Sequence, residues 1–235
     1  MQLLKKIKRQ ITSKLFGRPS IRALYELYDR RIIPYSGTVI FDVGANDGSN
    51  FINVAHLFPW VEIHAFEPTP FLVETIRKET ETIKNYKLIP KAVSREAGTM
   101  LFNIAGQGDW GCSSLLEFSE NLKETWPDRT DLRVTDRIEV SVITLKEYIL
   151  EHKIDKIDFL NIDTQGTDLD VLESLEELLY IVAAGMIEVP HSSKVMLYKN
   201  QHTREEVEHF IKSNGFVIYK EKSQQNESNI YFKKK

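Results

Sequence analysis

The stretch TVIFDVGANDG, residues Thr38 to Gly48, indicates the fold of this chain. Its β-branched and aromatic start, Thr38 to Phe41, is long enough for a buried strand and too short for a helix. Asp42 ends the run. Residues that tolerate the positive φ angles of a tight turn beside a ligand follow it: Gly44, Asn46 and Gly48. The amphipathic segment 50–58 comes next, so strand, glycine loop and helix bring backbone N–H groups to one point.

A second strand-like run, Val61 to Phe66, ends in Glu67. This acid lies about twenty residues beyond the glycine loop, where a carboxylate accepts both ribose hydroxyls of a nucleoside. The loop lacks the GxGxxG pattern, and Asp42 lies two residues before its first glycine, which suits a ligand with a positive end rather than a pyrophosphate. An ordinary strand-to-helix turn with an exposed Glu67 is the alternative.

Four segments in this order, FDVGANDGSN, HAFEPTP, KAVSREAGTMLF and IDFLNIDTQGTDLDVL, resemble the FkbM family of S-adenosylmethionine (SAM) dependent methyltransferases. The resemblance spans roughly residues 39–189. It implies an α/β, Rossmann-like class I methyltransferase fold: a mostly parallel seven-stranded sheet with an antiparallel last strand and helices on both faces. It also implies SAM as cofactor and O-methylation of a sugar or another natural-product hydroxyl. The family's Asp-x-Glu-Gly reads Asp163-Thr164-Gln165-Gly166 here, so one charge beside the expected site is absent.

The predicted cofactor site combines the glycine loop, the ribose acid and two positions that the resemblance implies. Ala92 ends a strand where the family contacts adenine, although a plain strand exit explains it equally well. Ser114 belongs to a Ser-Ser-Leu segment that the family shares, within a stretch, 106–137, that we assign as a substrate cap inserted in the domain. The full prediction for the cofactor is Asp42, Gly44, Asn46, Gly48, Glu67, Ala92 and Ser114.

Methyl transfer to a hydroxyl needs a general base, and three residues are candidates. Asp163 follows the apolar run 157–162, and ligands of open α/β sheets bind beyond the carboxyl ends of the strands. Glu188 and His191 lie at the end of the next apolar run and reach the same edge. Asp163 could instead orient the substrate or the SAM amino group, and Asp163 with Glu188 could hold a divalent ion, although no metal site is predicted.

The remaining pattern predicts one catalytic domain, 37–235, after an N-terminal helical extension, 1–36. Its further predicted elements are helices over 21–33 and 70–83, strands over 86–93, 99–104, 138–143 and 180–189, helices capped by Thr144, Thr167 and Thr203, and closing strands over 216–219 and 229–232.

Composition excludes several classes. The net charge of −3 and a pI near 6.1 argue against a nucleic-acid binder. The single cysteine, Cys112, excludes an internal disulfide and is expected to be a buried or incidental thiol. Because the sequence shows no signal peptide and no long apolar run, we expect a cytoplasmic protein.

Residues 1–17 form a basic amphipathic pattern, with Leu3, Ile7, Ile11 and Leu15 four residues apart. Such a helix packs on the domain or on a second subunit of a homo-oligomer, which is the interpretation we favour. The alternative is peripheral contact with an anionic membrane.

The sequence therefore predicts a SAM-dependent O-methyltransferase acting on a small-molecule or glycan substrate. A SAM-binding subunit without catalysis is the alternative, suggested by Gln165. An NAD-dependent dehydrogenase is disfavoured because GxGxxG is absent, and methylation of nucleic-acid amino groups because no Asn/Asp-Pro-Pro-Tyr motif follows the fourth strand.

Overall fold

A computed structural model describes residues 19–106 and 110–235. Within them, the strands are β1 Thr38–Val43, β2 Val61–Phe66, β3 Tyr86–Ile89, β4 Ala92–Val93, β5 Gly98–Ala105, β6 Val134–Ile143, β7 Phe159–Ile162, β8 Ala184–Pro190, β9 Phe216–Ser223 and β10 Glu227–Lys234. The α-helices are α1 Pro19–Asp29, α2 Ile52–Leu57, α3 Pro70–Thr80, α4 Leu122–Thr125, α5 Leu145–His152, α6 Asp168–Glu173 and α7 Arg204–Ser213. Short 3₁₀ helices cover Trp110–Cys112 and Glu176–Ile181.

The main sheet has seven strands in the order β3-β2-β1-β7-β8-β10-β9. Strand β1 pairs in parallel with β2 and β7, and β8 pairs in parallel with β7. The last strand, β10, runs antiparallel to both β8 and β9. This arrangement confirms the predicted class I methyltransferase sheet.

Helices cover both faces of the sheet because neighbouring residues of a strand point to opposite sides. In β1, Ile40 belongs to a core that includes Leu27 of α1 and Val54 of α2. Phe41 belongs to the opposite core, with Tyr148 of α5 and further residues of α6 and α7. Both β1 residues are fully buried.

A second, three-stranded sheet has the order β4-β6-β5 and corrects the prediction of one strand over 86–93. Only β3 joins the main sheet. Pro90 has no N–H to donate, and the Lys91 N–H returns to the Ile89 carbonyl at 2.8 Å, so the chain turns there. Ala92 and Val93 then pair with the end of β6.

Two of the three predicted helix caps are present in the structure. Thr203 and Glu206 form a complete capping box on α7, and the Thr144 side chain accepts from the Glu147 N–H of α5. Thr167 makes no such bond, which corrects that prediction. Instead, the Asp168 carboxylate accepts from the Thr164 and Gly166 N–H groups, both at 2.9 Å.

The helix predicted over residues 21–33 is α1, Pro19–Asp29. The predicted basic helix over residues 1–17 lies outside the described residues. Among the helices of the described ranges, none is long and apolar enough to cross a membrane.

Candidate functional site

The glycine loop closes against β2 at the carboxyl edge of the main sheet. The Gly44 and Ala45 N–H groups both donate to the Phe66 carbonyl at 3.0 Å. Gly44 has φ +84°, and a Cβ atom there would lie 1.9 Å from the Asp163 carbonyl oxygen. A side chain at this position is therefore excluded by both conformation and space.

Glu67 ties the loop to the start of α3. One carboxylate oxygen accepts from the Asn46 N–H and the other from the Thr69 N–H, each at 2.8 Å. The side chain is buried, and this burial raises the pKa of Glu67 although the hydrogen bonds oppose the shift. A carboxylate offers about four lone pairs, so two accepting positions remain for a ligand.

These residues line a cleft, here called the glycine-loop cleft, with about 500 Å³ of unoccupied space. Five of the ten predicted cofactor and base residues border it, and they follow the ends of four different strands: Gly44, Asn46, Glu67, Ala92 and Asp163. Its apolar wall consists of Val43, Phe66, Leu72, Val93, Phe102 and Leu115. Trp110 and Ser113 also line it, and sequence reasoning selected neither as a site residue.

Three predicted cofactor residues do not line the glycine-loop cleft, and each has a structural role beside it. Gly48, at φ +75°, has no room for a Cβ, which would lie 2.5 Å from Ile52 Cδ1 at the start of α2. The Ser114 hydroxyl donates to the Gln165 carbonyl at 2.6 Å. The neighbouring Ser113 faces the cleft instead, a difference of one residue that the Ser-Ser-Leu pattern does not resolve.

Asp42, the third of them, is fully buried below the loop. Its Oδ1 accepts from Asn161 Nδ2 at 2.8 Å, and its Oδ2 has no hydrogen-bond partner among the described residues. Burial raises the pKa of Asp42 to about 7, against the Asn161 hydrogen bond, and the nearby Asp163 and Glu67 carboxylates raise it further.

A second space, here called the acidic cavity, opens beside the cleft and holds about 900 Å³ by the same measure. It lies between the ends of β7 and β8, the insert and the turn from β9 to β10. Its lining is Asn46, Gly111, Cys112, Trp126, Arg129, Asp163, Gln165, Glu188, Leu197, Gln224, Gln225, Asn226 and Glu227. Four of these residues also line the glycine-loop cleft: Asn46, Gly111, Asp163 and Gln165.

Gln165 connects the polar groups where the two spaces meet. Its Nε2 donates to Asp163 Oδ1 at 2.6 Å and to Glu188 Oε2 at 3.2 Å, while its Oε1 accepts from the buried Tyr198 hydroxyl at 2.9 Å. The backbone of Gln165 has φ +59°, a conformation that few residues other than glycine adopt. A glutamate here could not donate to either carboxylate, so the amide fits this chain's own surroundings.

Glu188 and Glu227 are two glutamates of the acidic cavity whose pKa values are raised. Burial raises the pKa of Glu188 well above its usual range, and the Asp163 and Glu227 carboxylates add to the effect. Burial also raises the pKa of Glu227 to about 7, with Asp168 and Asp163 as further causes and Arg129 opposing them. Burial therefore disfavours the ionised form of both groups.

His191 is not brought to this site. It lies one residue beyond the end of β8, where it is exposed, and it lines neither the cleft nor the cavity. Its Nε2 is 2.9 Å from the Ser228 hydroxyl of β10, and its N–H donates to the Asn226 carbonyl. These contacts tie His191 to β10 rather than to either space.

One group of potential metal ligands lies elsewhere. Ligand atoms of Asp170, Glu173 and His202 lie within 4.8 Å of one another. Arg95 already pairs with Asp170 at 3.1 Å and with Glu173 at 3.2 Å, so a cation is present there.

Comparison with known proteins identifies the family of the chain. Residues 42–218 match the model of the methyltransferase FkbM domain. The chain belongs to this FkbM methyltransferase family. A match of this extent covers the glycine loop, the insert and the ends of β1, β2, β7 and β8, and it stops before residues 224–227 of the acidic cavity.

Individual relatives are distant. The chain is 29% identical over 147 residues to the 2-O-methyltransferase NoeI of Sinorhizobium fredii, covering 60% of this chain and 58% of that protein. It is 31% identical over 159 residues to the 31-O-demethyl-FK506 methyltransferase FkbM of Streptomyces tacrolimicus, covering 60% of each. The methyltransferase sdnD of Sordaria araneosa is 24% identical over 220 residues, covering 84% of this chain and 80% of that protein. The chain thus spans less than two thirds of two of these relatives.

A solved structure supports the fold. Aeropyrum pernix fibrillarin, in complex with natively bound SAM, superposes with a TM-score of 0.50 at 10% identity, covering 84% of this chain and 66% of that one. The FkbM methyltransferase family uses SAM as its cofactor. The glycine-loop cleft fits SAM in three respects. The absence of a side chain at Gly44 lets a ligand approach the backbone, Glu67 keeps lone pairs free to accept hydrogen bonds, and the wall of the cleft is apolar.

Proposed function

We propose that this FkbM-family protein is an O-methyltransferase that methylates a hydroxyl of a sugar, a glycan or a related natural product. In this proposal the glycine-loop cleft holds SAM and the acidic cavity holds the acceptor. The observation that carries it is the junction of the two spaces at Asp163 and Gln165. A methyl group and an acceptor oxygen can meet only where both ligands have access.

Different residues of the cleft would bind different parts of SAM. Glu67 would accept the ribose hydroxyls, Ala92 and the apolar wall would hold the adenine, and the backbone at Gly44 would border the cofactor. SAM supplies a methyl group that is already electrophilic because the sulfur is positively charged. The protein has to align the acceptor oxygen and remove its proton.

We assign Asp163 as the general base. It is the carboxylate that lines both spaces, and Gln165 Nε2 fixes its Oδ1 at 2.6 Å. Glu188 is a poorer candidate because it lines the acidic cavity but not the cleft and burial disfavours its ionised form, and His191 lies outside both spaces. Glu188 instead shares the Gln165 amide and so helps to hold that group in place.

The lining of the acidic cavity favours a hydroxyl-rich acceptor. Its lining includes the amide residues Asn46, Gln224 and Gln225, whose side chains carry both donors and an acceptor, together with the indole of Trp126. Amides and an aromatic face are the groups that bind sugar hydroxyls and sugar rings. The names of two relatives, a 2-O-methyltransferase and a 31-O-demethyl-FK506 methyltransferase, support transfer to oxygen.

The test combines SAM labelled with carbon-13 in the methyl group with a panel of mono- and oligosaccharide acceptors. Mass spectrometry detects the labelled product, and its methoxy resonance in NMR identifies transfer to oxygen. We expect Asp163→Asn to lower turnover about 100-fold or more, the usual contribution of a general base, while binding of S-adenosylhomocysteine (SAH) is retained. Transfer to nitrogen, or full activity of the variant, would contradict the assignment.

The alternative is a SAM-binding subunit without catalysis, and the observation that favours it is Gln165 in place of the family's acid. The same experiment separates the two. SAM binding in calorimetry without methyl transfer to any acceptor of the panel would favour the alternative.

A further inference from the structure

We propose that the acceptor carries a positively charged amino group, as an amino sugar does, and that Glu188 and Glu227 bind this group. The inference rests on the proposed function, since it assigns the chemical class of the molecule in the acidic cavity.

The two glutamates come from neighbouring antiparallel strands and face the same side of the sheet. Glu188 of β8 lies opposite Asn229 of β10, and Glu227 of β10 lies opposite Pro190 of β8. Residues two apart on a strand share a face, so Glu188 and Glu227 are diagonal neighbours, typically separated by about 7 Å. Both line the acidic cavity, so their side chains form one acidic wall.

The described lining of the cavity contains too little positive charge to balance this wall. Arg129 is its cationic side chain, and two of its nitrogens already donate to Asp131 at 2.9 to 3.2 Å. Asp163, Glu188 and Glu227 therefore place three carboxyl groups around a space with one guanidinium that has its own acid. Like charges held this close disfavour ionisation unless a cation joins them.

SAM does not account for the two glutamates. Asp163 lines the glycine-loop cleft and lies within reach of a cationic cofactor. Glu188 and Glu227 line the acidic cavity and not the cleft. A charge that compensates them has to come from the side of the acceptor. An anionic acceptor, such as a uronic acid or a phosphorylated sugar, would instead add a fourth negative group.

The rest of the lining selects hydroxyls beside the amino group. Gln224, Gln225 and Asn226 form the turn between β9 and β10 and line the same space as Glu227, and the Asn226 amide donates to the Thr125 carbonyl at 3.2 Å. A divalent metal ion fits less well, because the described ligand atoms that converge within 4.8 Å belong to Asp170, Glu173 and His202 and not to this wall. A hydroxylated, cationic ligand uses both sets of groups.

Three monosaccharides that differ mainly in charge test the inference: glucosamine, glucose and glucuronic acid. Their affinities for the full chain saturated with SAH are measured by saturation-transfer NMR titration at pH 7. We expect glucosamine to bind about tenfold more tightly than glucose, equivalent to about 1.4 kcal/mol, and glucuronic acid to bind most weakly. Glu227→Gln and Glu188→Gln should each reduce the preference for glucosamine over glucose at least about threefold.

Two controls make the result specific. Glu120→Gln changes an exposed acid of the same insert and should leave all three affinities unchanged. Lowering the pH to 5.5 protonates Glu227 and Glu188 further, in the field of Asp163, Asp168 and Arg129, and should reduce the glucosamine preference. Equal binding of glucosamine and glucose, preferred binding of glucuronic acid, or no detectable glucosamine binding overturns the inference. Glucose binding without a charge preference leaves the proposed function standing, whereas failure to bind SAH removes its basis.

Discussion

Gly44 is the residue where the loop leaves no room for a side chain. A Cβ atom would lie 1.9 Å from the Asp163 carbonyl oxygen, and φ is +84°. We expect Gly44→Ala to lower SAH affinity at least about 100-fold in calorimetry, because the loop has to move away from β7. Gly215→Ala is the matched control: its φ is +83° but nothing lies within 4 Å. It should cost only about 1–2 kcal/mol of unfolding free energy and leave SAH affinity unchanged. Affinity of the Gly44 variant within threefold of the original would contradict this account.

Asp42 makes stability fall as pH rises. Its pKa is about 7 in the folded chain, whereas the unfolded residue titrates near its usual value of 3.8. Between about pH 4 and pH 7 the folded chain holds a proton that the unfolded chain has released, so the free energy of unfolding decreases with pH, by at most about 4 kcal/mol. Asp42→Asn should make this slope shallower in urea titrations, because other buried acids such as Glu227 keep their own contributions, and should leave the variant more stable than the original chain at pH 8.

Glu221 is a control for that experiment, because its titration changes the stability with pH in the opposite direction. Hydrogen bonds from Arg204 lower the pKa of Glu221 to about 2, so its contribution is present above its usual pKa and is lost as pH falls towards 2. Glu221→Gln should therefore be the less stable chain at neutral pH, and the difference should shrink in acid. An unchanged pH slope in Asp42→Asn would assign the titration to another buried acid.

At the scale of elements, the capping box of α7 is a local signal that acts as the sequence predicts. Thr203 accepts from the Glu206 N–H, and the Glu206 carboxylate accepts from the Thr203 N–H at 2.7 Å. Thr203→Ala should lower the free energy of unfolding by about 1 kcal/mol in urea titration with an unchanged slope. Thr203→Ser keeps the accepting oxygen and should restore most of the loss. An alanine variant as stable as the original chain would show that tertiary packing alone holds the helix end.

Other elements depend on distant partners, and sequence patterns place them less well. The run 86–93 reads as one strand because its residues favour extended structure, yet it supplies two sheets on either side of Pro90. Thr167 has the sequence of a cap, but the Asp168 carboxylate takes the nearby N–H groups instead. In both cases the local propensity is satisfied by a partner that the local pattern does not specify.

At the scale of the whole molecule, the sheet was predictable and half of the site was not. Strand runs, the glycine loop and the spacing to Glu67 are linear features, and they locate the glycine-loop cleft. The acidic cavity depends on residues far apart in the chain, such as Trp126 and Glu227, which meet only through the antiparallel β10. In the sequence, Gln165 is recognisable only as a neutral residue in place of the family's acid. That it donates to Asp163 and Glu188 can be seen only in the folded structure.

The stability of the whole chain should report occupation of the cleft. A ligand that binds only the folded state at 100 times its dissociation constant adds about 2.7 kcal/mol, which for a chain of this size raises the midpoint of thermal unfolding by about 5–10 °C. We expect SAH to produce this shift and NAD to produce none. Glu67→Gln should lower the midpoint of the ligand-free chain, because an amide cannot accept from both the Asn46 and Thr69 N–H groups, and should also reduce the shift with SAH.

Glu74→Gln separates a specific effect of Glu67 from a general loss of acidic charge near α3. Glu74 lies exposed on that helix, paired with Arg77 and Lys78, and its variant should keep both the midpoint and the SAH shift. Because Glu67 serves the loop and the ligand through the same carboxylate, its variant has to lose both quantities together. A normal SAH shift on a destabilised Glu67→Gln chain would restrict Glu67 to holding the loop, and the ribose would need another acceptor in the cleft.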